Sequence, residues 1–337
     1  MDSEISYSDE IEAVARAAAE VLVASLHSLS SGGVEACATS DAQAVVDSAL
    51  DHCLARLSST GLVGKDNQGP SQAFWKIACP LLEPGCLQLR ARTKPLGYAG
   101  DHTMQADFWS RHECDDPLGR LFDRYFQQQQ AVDAVRGRMQ LVADAIVDRC
   151  QAATHSEFRV ASIVSGPGID LALASMALPN DDRSRLRVKL IDIDEGALSA
   201  AEQRLLSHLP ADSFSLHREN VARLARGRRG AELLRDVDFI ACPGLFDYLA
   251  DAEATAMLKF FADCLRGGGC LYVGNFAPHC TSRAYMEWIG NWYLIYRTAD
   301  ELRGLAHAAG LDMSQIRIVA EPTGTDLFIV YEKPADR

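Results

Sequence analysis

FRVASIVSGPGIDLALASMAL, residues 158–178, is the stretch on which the fold turns. Residues 158–164 are mostly apolar, with β-branched Val160, Ile163 and Val164, and read as a strand, 165–168 form a turn with two glycines, and 170–178 form a helix rich in Ala and Leu. A strand that runs through a glycine turn straight into a helix opens a parallel sheet with crossover helices. The same rhythm continues downstream. Strands are predicted at 187–193, 214–218, 237–242 and 270–275, and helices at 195–209, 253–265 and 299–309. The tract Gly267-Gly268-Gly269 ends the second of these helices, and 316–321 with 327–332 make a closing pair of strands. The expectation is a doubly wound, Rossmann-like α/β domain over residues 153–337.

Upstream the pattern is helical. Residues 8–58 read as two or three helices, with Ile11, Val14, Ala18, Val21 and Leu22 spaced for one face and SLSSGG (28–33) as a breaker. A mixed region carries KPLGYAGD at 94–101. One long amphipathic helix is then predicted over 120–150, its stripe formed by Leu121, Phe122, Tyr125, Val132, Val135, Met139, Val142 and Ile146. Residues 1–152 are thus expected to form an α-helical N-terminal cap, joined to the sheet domain between about 150 and 157.

Composition narrows the function. The 337 residues are 48% hydrophobic and 23% charged, with 33 Lys and Arg against 46 Asp and Glu, a net charge of −13. Such a chain lacks the basic footprint that attracts nucleic acid or an anionic membrane, so a small-molecule substrate is expected. No run approaches the roughly 18 apolar residues of a spanning helix, and the stretch from Met1 to Glu12 is acidic where a secretory signal is basic, so the cytoplasm is the expected compartment. The ten cysteines contain no CxxC pair, which removes the spacing of structural zinc and of thioredoxin-like chemistry; no metal is expected.

In an open parallel sheet the chemistry lies beyond the carboxyl ends of the strands. The first predicted strand ends at Ser165-Gly166-Pro167-Gly168, where glycines let backbone approach a ligand, although Leu171 stands where a dinucleotide fingerprint has its third glycine. The second ends at Asp192-Ile193-Asp194: Asp192 suits the hydroxyls of a ribose, and Asp194 the N-cap of the next helix. Asn220, after the third, offers either a hydrogen-bonding edge for adenine or a turn residue. Pro243-Gly244-Leu245-Phe246-Asp247-Tyr248 is unusually apolar for a loop, and Asn275 ends the fifth strand. The aromatic tract 283–297 either encloses a sulfonium or packs as core.

Taken together, SGPG (165–168), LIDID (190–194), DVDFIACPGLFDYL (236–249), LRGGGCLYVGNF (265–276) and SRAYMEWIGNWYLIYR (282–297) resemble class I S-adenosylmethionine (SAM)-dependent methyltransferases. KPLGYAGD combined with GLFDYL, VGNF and RAYMEWIGNWYLIYR is similar to the bacterial subfamily associated with 3-hydroxy fatty acid methyl ester synthesis, and also to azetidine-2-carboxylate synthases, which keep the fold but make SAM attack itself. The resemblance spans roughly residues 90–335, with Ser165, Asp170 and Asn291 departing from the subfamily's usual residues. It implies a Rossmann-like class I methyltransferase sheet with the N-terminal cap as a lid. It also implies SAM, as methyl donor or as sole substrate, held by Ser165, Gly166, Gly168, Asp192, Ile193, Asn220, Pro243 and Gly244. Tyr98, Asp101, Tyr248, Asn275 and Tyr285 are the implied catalytic or acceptor-contacting residues, with Glu287, Tyr293 and Arg297 behind them. The implied function is a methyltransferase of bacterial secondary metabolism or signalling; the alternatives are a SAM cyclase releasing methylthioadenosine and a non-catalytic SAM-binding protein. Exposed aromatics are compatible with a homodimer.

Overall fold

The computed structural model describes residues 2–335; Met1, at the head of the acidic N-terminal stretch, lies outside the described residues. The chain forms two compact units, 1–133 with 281–294, and 134–280 with 295–337. Where a boundary near 150–157 was expected, the division falls after Asp133 and residues 281–294 join the first unit.

The first unit is helical: α1 (Asp2–Ser25), α2 (His27–Cys37), α3 (Ala42–Ser58), α4 (Gln68–Leu82), α5 (Cys86–Thr93), α6 (His102–Ser110) and α7 (Pro117–Gln127). The SLSSGG tract, expected as a breaker, lies inside α2, which kinks at Gly33 (φ 62°, ψ −148°) rather than ending there. α7 starts on a strong local signal. Asp116 caps it by accepting from Gly119 N at 2.7 Å, and Pro117 supplies a pre-set first turn. The core is aromatic: Phe108 meets Phe126 edge-on at 5.5 Å between centroids, and Phe126 meets Tyr285 at 5.0 Å. The tract containing Tyr285 and the fully buried Trp288 therefore belongs to this unit's core, which is why 281–294 joins it.

The single helix expected over 120–150 is two helices. α7 stops at Gln127, and α8 (Gln130–Ala152) begins after a break at Gln128–Gln129 that contains neither Gly nor Pro. The start of α8 is capped from far along the chain. Ser282 Oγ accepts from Ala131 N at 3.0 Å, while Gln130 Oε1 accepts from Thr281 N and Oγ1, both at 2.9 Å. Farther on, Val142, Ala143, Ile146 and Cys150 are buried in the core of the second unit, which moves the division back to Asp133.

The second unit is a seven-stranded sheet. Its strands are β1 (Phe158–Ile163), β2 (Leu186–Asp192), β3 (Phe214–Arg218), β4 (Val237–Cys242), β5 (Leu265–Phe276), β6 (Ile316–Ala320) and β7 (Asp326–Glu332), in the spatial order β3-β2-β1-β4-β5-β7-β6. The first five run parallel and β7 is antiparallel to both β5 and β6. Alternating with them are α9 (Ile169–Ala177), α10 (Asn180–Arg185), α11 (Glu195–Leu205), α12 (Val221–Leu224), α13 (Arg228–Leu233), α14 (Asp251–Cys264) and α15 (Ala299–Ala308). Cores cover both faces of the sheet, so β4 is buried at every position and reads as an unbroken apolar run apart from Asp238. The three glycines expected to end a helix instead lie within β5. They carry an irregularity in its pairing with β4, between Val237 and Phe239, with Gly268 at φ +80°. Because β1 is flanked by β2 and β4, the topological switch point lies at its carboxyl end, where ligands bind in this architecture. Among the described residues, no helix is long and apolar enough to cross a membrane.

Candidate active site

At the switch point the chain leaves β1 through three left-handed residues: Val164 (φ 53°), Gly166 (φ 51°) and Gly168 (φ 63°). Glycine tolerates this conformation, whereas a β-branched valine is strained by it. The turn is held by Ser165 N donating to Ile191 O and by Gly168 N donating to Ser165 O, both at 3.2 Å, and by Arg204 donating to Pro167 O. Gly168 also sits where α11 comes close. A Cβ there would lie 3.0 Å from that of Ala201.

Asp192 closes the turn from the neighbouring strand. Its carboxylate is buried; Oδ2 accepts from Gly166 N and Oδ1 from Asp194 N, each at 3.0 Å. Burial pushes its pKa up, against the opposing pull of these N–H groups. Each oxygen retains a lone pair for a further donor, as a vicinal diol requires. Ser165 Oγ, in the same turn, is buried and has no hydrogen-bond partner among the described residues. Ile193 follows with its side chain 57% exposed, an apolar surface at the sheet's ligand edge. Asp194 is the N-cap of α11, accepting from Gly196 N at 2.8 Å. Asn220 caps α12 through Arg223 N at 3.2 Å, and the adjacent Glu219 N donates to Asp192 O at 2.9 Å.

The apolar loop after β4 is fastened from inside. Asp247 Oδ1 accepts from Phe276 N at 2.7 Å and Asn275 Nδ2 at 3.0 Å, while Asp247 O accepts from Ile295 N at 2.7 Å. The buried Arg297 donates to Phe246 O (2.9 Å), Leu249 O (2.6 Å) and Asn275 Oδ1 (2.6 Å). Asn275, expected at the reacting centre, is thus committed on both its oxygen and its nitrogen to holding this loop. Tyr248 projects from the same loop and is 45% exposed. Pro243 is half-buried, and Gly244 faces Arg138: a Cβ at Gly244 would stand 3.1 Å from a guanidinium nitrogen.

Arg138 belongs to a buried charge cluster that sequence reading missed. It pairs with Asp326 at 3.2 Å and acts electrostatically on Asp170 and Asp247. Burial pushes the Asp170 and Asp247 carboxyls up to about 6 despite this cation. The one legible signal was an acid inside an apolar run, at Asp170 in SGPGIDLAL and at Asp326 in TGTDLFIV.

The remaining expected residues lie in the helical unit. Asp101 is buried; Arg90 Nε donates to both its oxygens, at 2.8 and 2.9 Å, and it caps α6 through Met104 N at 3.0 Å. Expected to contact substrate, it serves here as the anchor of its loop. Tyr98 in the same loop is half-buried. Tyr285, a second expected catalytic residue, is core: its hydroxyl donates to Gln88 Oε1 at 2.7 Å. Glu287 accepts from Gly64 N, Asn67 Nδ2 and Arg283 Nε at 2.8–3.0 Å, and Tyr293 donates to Asn67 Oδ1 at 2.9 Å. Of the two readings of the aromatic tract, packing as core is the one realised for Tyr285 to Ile289. KPLGYAGD and this tract meet within the unit. Lys94 Nζ donates to Asn291 O at 2.6 Å, and the Trp292 ring occupies the space where a Cβ on Gly100 would be.

No protein-family model and no curated protein matches the chain. Solved structures do. A possible exported protein from Bordetella parapertussis is similar over 70% of this chain and 80% of its own, at 21% identity and a TM-score of 0.54. The CurJ carbon methyltransferase is similar over 97% of this chain and 93% of its own, at 11% identity and a TM-score of 0.52. Likeness at such identities is a likeness of fold: the chain has the Rossmann-like α/β fold of class I methyltransferases with a helical N-terminal region.

Proposed function

We propose that the chain is a SAM-dependent methyltransferase acting on a small molecule of secondary metabolism or signalling. One observation carries the reading. At the switch point of a methyltransferase-like fold, a buried carboxylate, Asp192, and an unpartnered buried hydroxyl, Ser165 Oγ, flank a glycine turn. This donor set fits SAM. Asp192 accepts from the ribose hydroxyls, Asn220 offers an amide to the adenine edge, and Ile193 gives the base an apolar face. The Ser165–Gly168 turn brings backbone rather than side chains against the methionine portion. SAM supplies a methyl group already activated by its positive sulfur, so the protein's share is alignment and exclusion of water. The loop 243–249 serves both purposes: Arg297, Asn275 and Asp247 hold it rigid, while Leu245, Phe246 and Tyr248 make it apolar. The net charge of −13 supports a small acceptor over a nucleic acid.

The test is calorimetric titration of the purified protein with SAM and S-adenosylhomocysteine, followed by incubation with methyl-labelled SAM and fractionated cell extract. Binding of both nucleosides, with label moving to a small molecule and S-adenosylhomocysteine accumulating, is the expected result. Failure to bind either one overturns the proposal. Methylthioadenosine formed from SAM alone replaces methyl transfer with intramolecular cyclisation.

A further inference from the structure

Three side chains distant in sequence converge in the helical unit. Cys86 opens α5, Cys114 lies between α6 and α7, and Asp123 is in the middle of α7. The two sulfurs and a carboxylate oxygen all lie within 4.8 Å of one another. Asp123 is fully buried, and its orientation is fixed by Leu87 N donating to Oδ1 at 3.0 Å and Cys114 N donating to Oδ2 at 2.9 Å. Cys86 Sγ donates to the same Oδ2 at 3.0 Å, and Cys114 Sγ to Pro84 O at 3.3 Å.

We propose that Cys86, Cys114 and Asp123 form a binding site for one thiophilic divalent cation of the Zn2+ type. Two sulfurs and one carboxylate oxygen are a donor set for a borderline-soft ion, not for Mg2+ or Ca2+, which take oxygen ligands. Tetrahedral coordination at about 2.3 Å to sulfur and about 2.0 Å to oxygen sets the S···O separation near 3.5 Å and S···S near 3.8 Å. The cluster is therefore about half an ångström from this geometry along the Cys86–Asp123 edge, taking those same bond lengths. On binding, each thiol forms a sulfur–metal bond and releases its proton to solvent; Asp123 exchanges the Cys86 S–H for the ion and keeps its two backbone donors. Water completes the coordination. The ion ties together α5, α7 and the segment between α6 and α7, so it stabilises the helical unit; the site is independent of the proposed SAM chemistry.

The experiment is titration of the reduced full-length protein with Co2+, the spectroscopic substitute for Zn2+. The expected result is a sulfur-to-cobalt charge-transfer band with the intense visible bands of a tetrahedral site, saturating at one equivalent and bleached by Zn2+. The bands are lost in Cys86→Ser/Cys114→Ser and kept in Cys79→Ser. Absence of the bands from the parent protein, or their persistence in the double variant, overturns the proposal. If the double variant fails to fold by circular dichroism, alkylation mapping of the parent protein decides. Zn2+ must then shield Cys86 and Cys114 from iodoacetamide while Cys79 stays reactive, and equal labelling with and without Zn2+ refutes the site.

Discussion

Replacing Asp192 with Asn tests the candidate site at its most connected atom pair. The two carboxylate oxygens accept from different backbone donors, Gly166 N and Asp194 N, each at 3.0 Å. Asn has one oxygen, so its NH2 must face one of these N–H groups in either amide orientation. One buried donor is orphaned, at a stability cost of about 1–3 kcal/mol. Affinity for SAM falls further. A hydroxyl hydrogen bond to a charged group is worth about 1.5–3 kcal/mol, and the variant lacks the charge for both ribose hydroxyls and the acceptor for one. A net loss of about 2–4 kcal/mol corresponds to a dissociation constant roughly 30- to 700-fold weaker. Calorimetry with SAM and S-adenosylhomocysteine measures this, and urea unfolding in parallel separates lost affinity from lost fold. Because burial raises the Asp192 pKa, affinity in the parent protein should fall on acidification from a higher pH than an ordinary carboxylate would dictate, and the variant should lack this limb. A variant that folds and binds both nucleosides within threefold of the parent refutes the assignment of Asp192 to the ribose.

Gly100→Ala forces a Cβ to within 2.6 Å of the Trp292 ring at a φ of +70°. We expect about 2 kcal/mol or more of destabilisation by urea titration, from strain added to overpacking; an unchanged midpoint contradicts that packing. Arg297→Lys cannot reproduce a planar fork donating to Phe246 O, Leu249 O and Asn275 Oδ1, and should cost about 2–4 kcal/mol, as a buried polar network left partly unsatisfied. Equal unfolding free energies for variant and parent rule out the latch. Asp170 is pushed up to about 6 by burial, from an ordinary 3.8. A raised acid contributes its stability fully below the unfolded pKa and loses it as pH rises through the folded one, so the loss falls between about pH 4 and pH 6 and amounts to about 3 kcal/mol. Asp170→Asn should therefore gain on the parent by about that amount between pH 4 and pH 7, again on linkage grounds; a difference independent of pH across urea titrations in this range defeats the reasoning.

The alternating rhythm after residue 157 was legible because the central strands are buried on both faces and must be apolar throughout, as β4 nearly is. The glycine turn and the Asp194 cap were legible because each is settled within a few residues. The position of Asp192 at the carboxyl end of β2 was legible because strand ends follow from the doubly wound plan alone.

Elsewhere the partners are remote. The break at Gln128–Gln129 is fixed by Ser282 and Thr281, about 150 residues away in the chain, so a continuous helical stripe concealed it. Asp101, Asn275 and Tyr285 looked like exposed chemistry in their motifs, and became fasteners once Arg90, Arg297 and Gln88 were brought beside them. The cysteine spacing gave no sign that Cys86 and Cys114 converge on Asp123, because the packing of helices brings them together. Periodicity, turns and caps are interactions between near neighbours, so the sequence by itself determined the α/β plan and the glycine turn that leaves β1. Whether a polar side chain is available to a ligand depends on which distant groups desolvate it and saturate its lone pairs, and that only the tertiary structure decided.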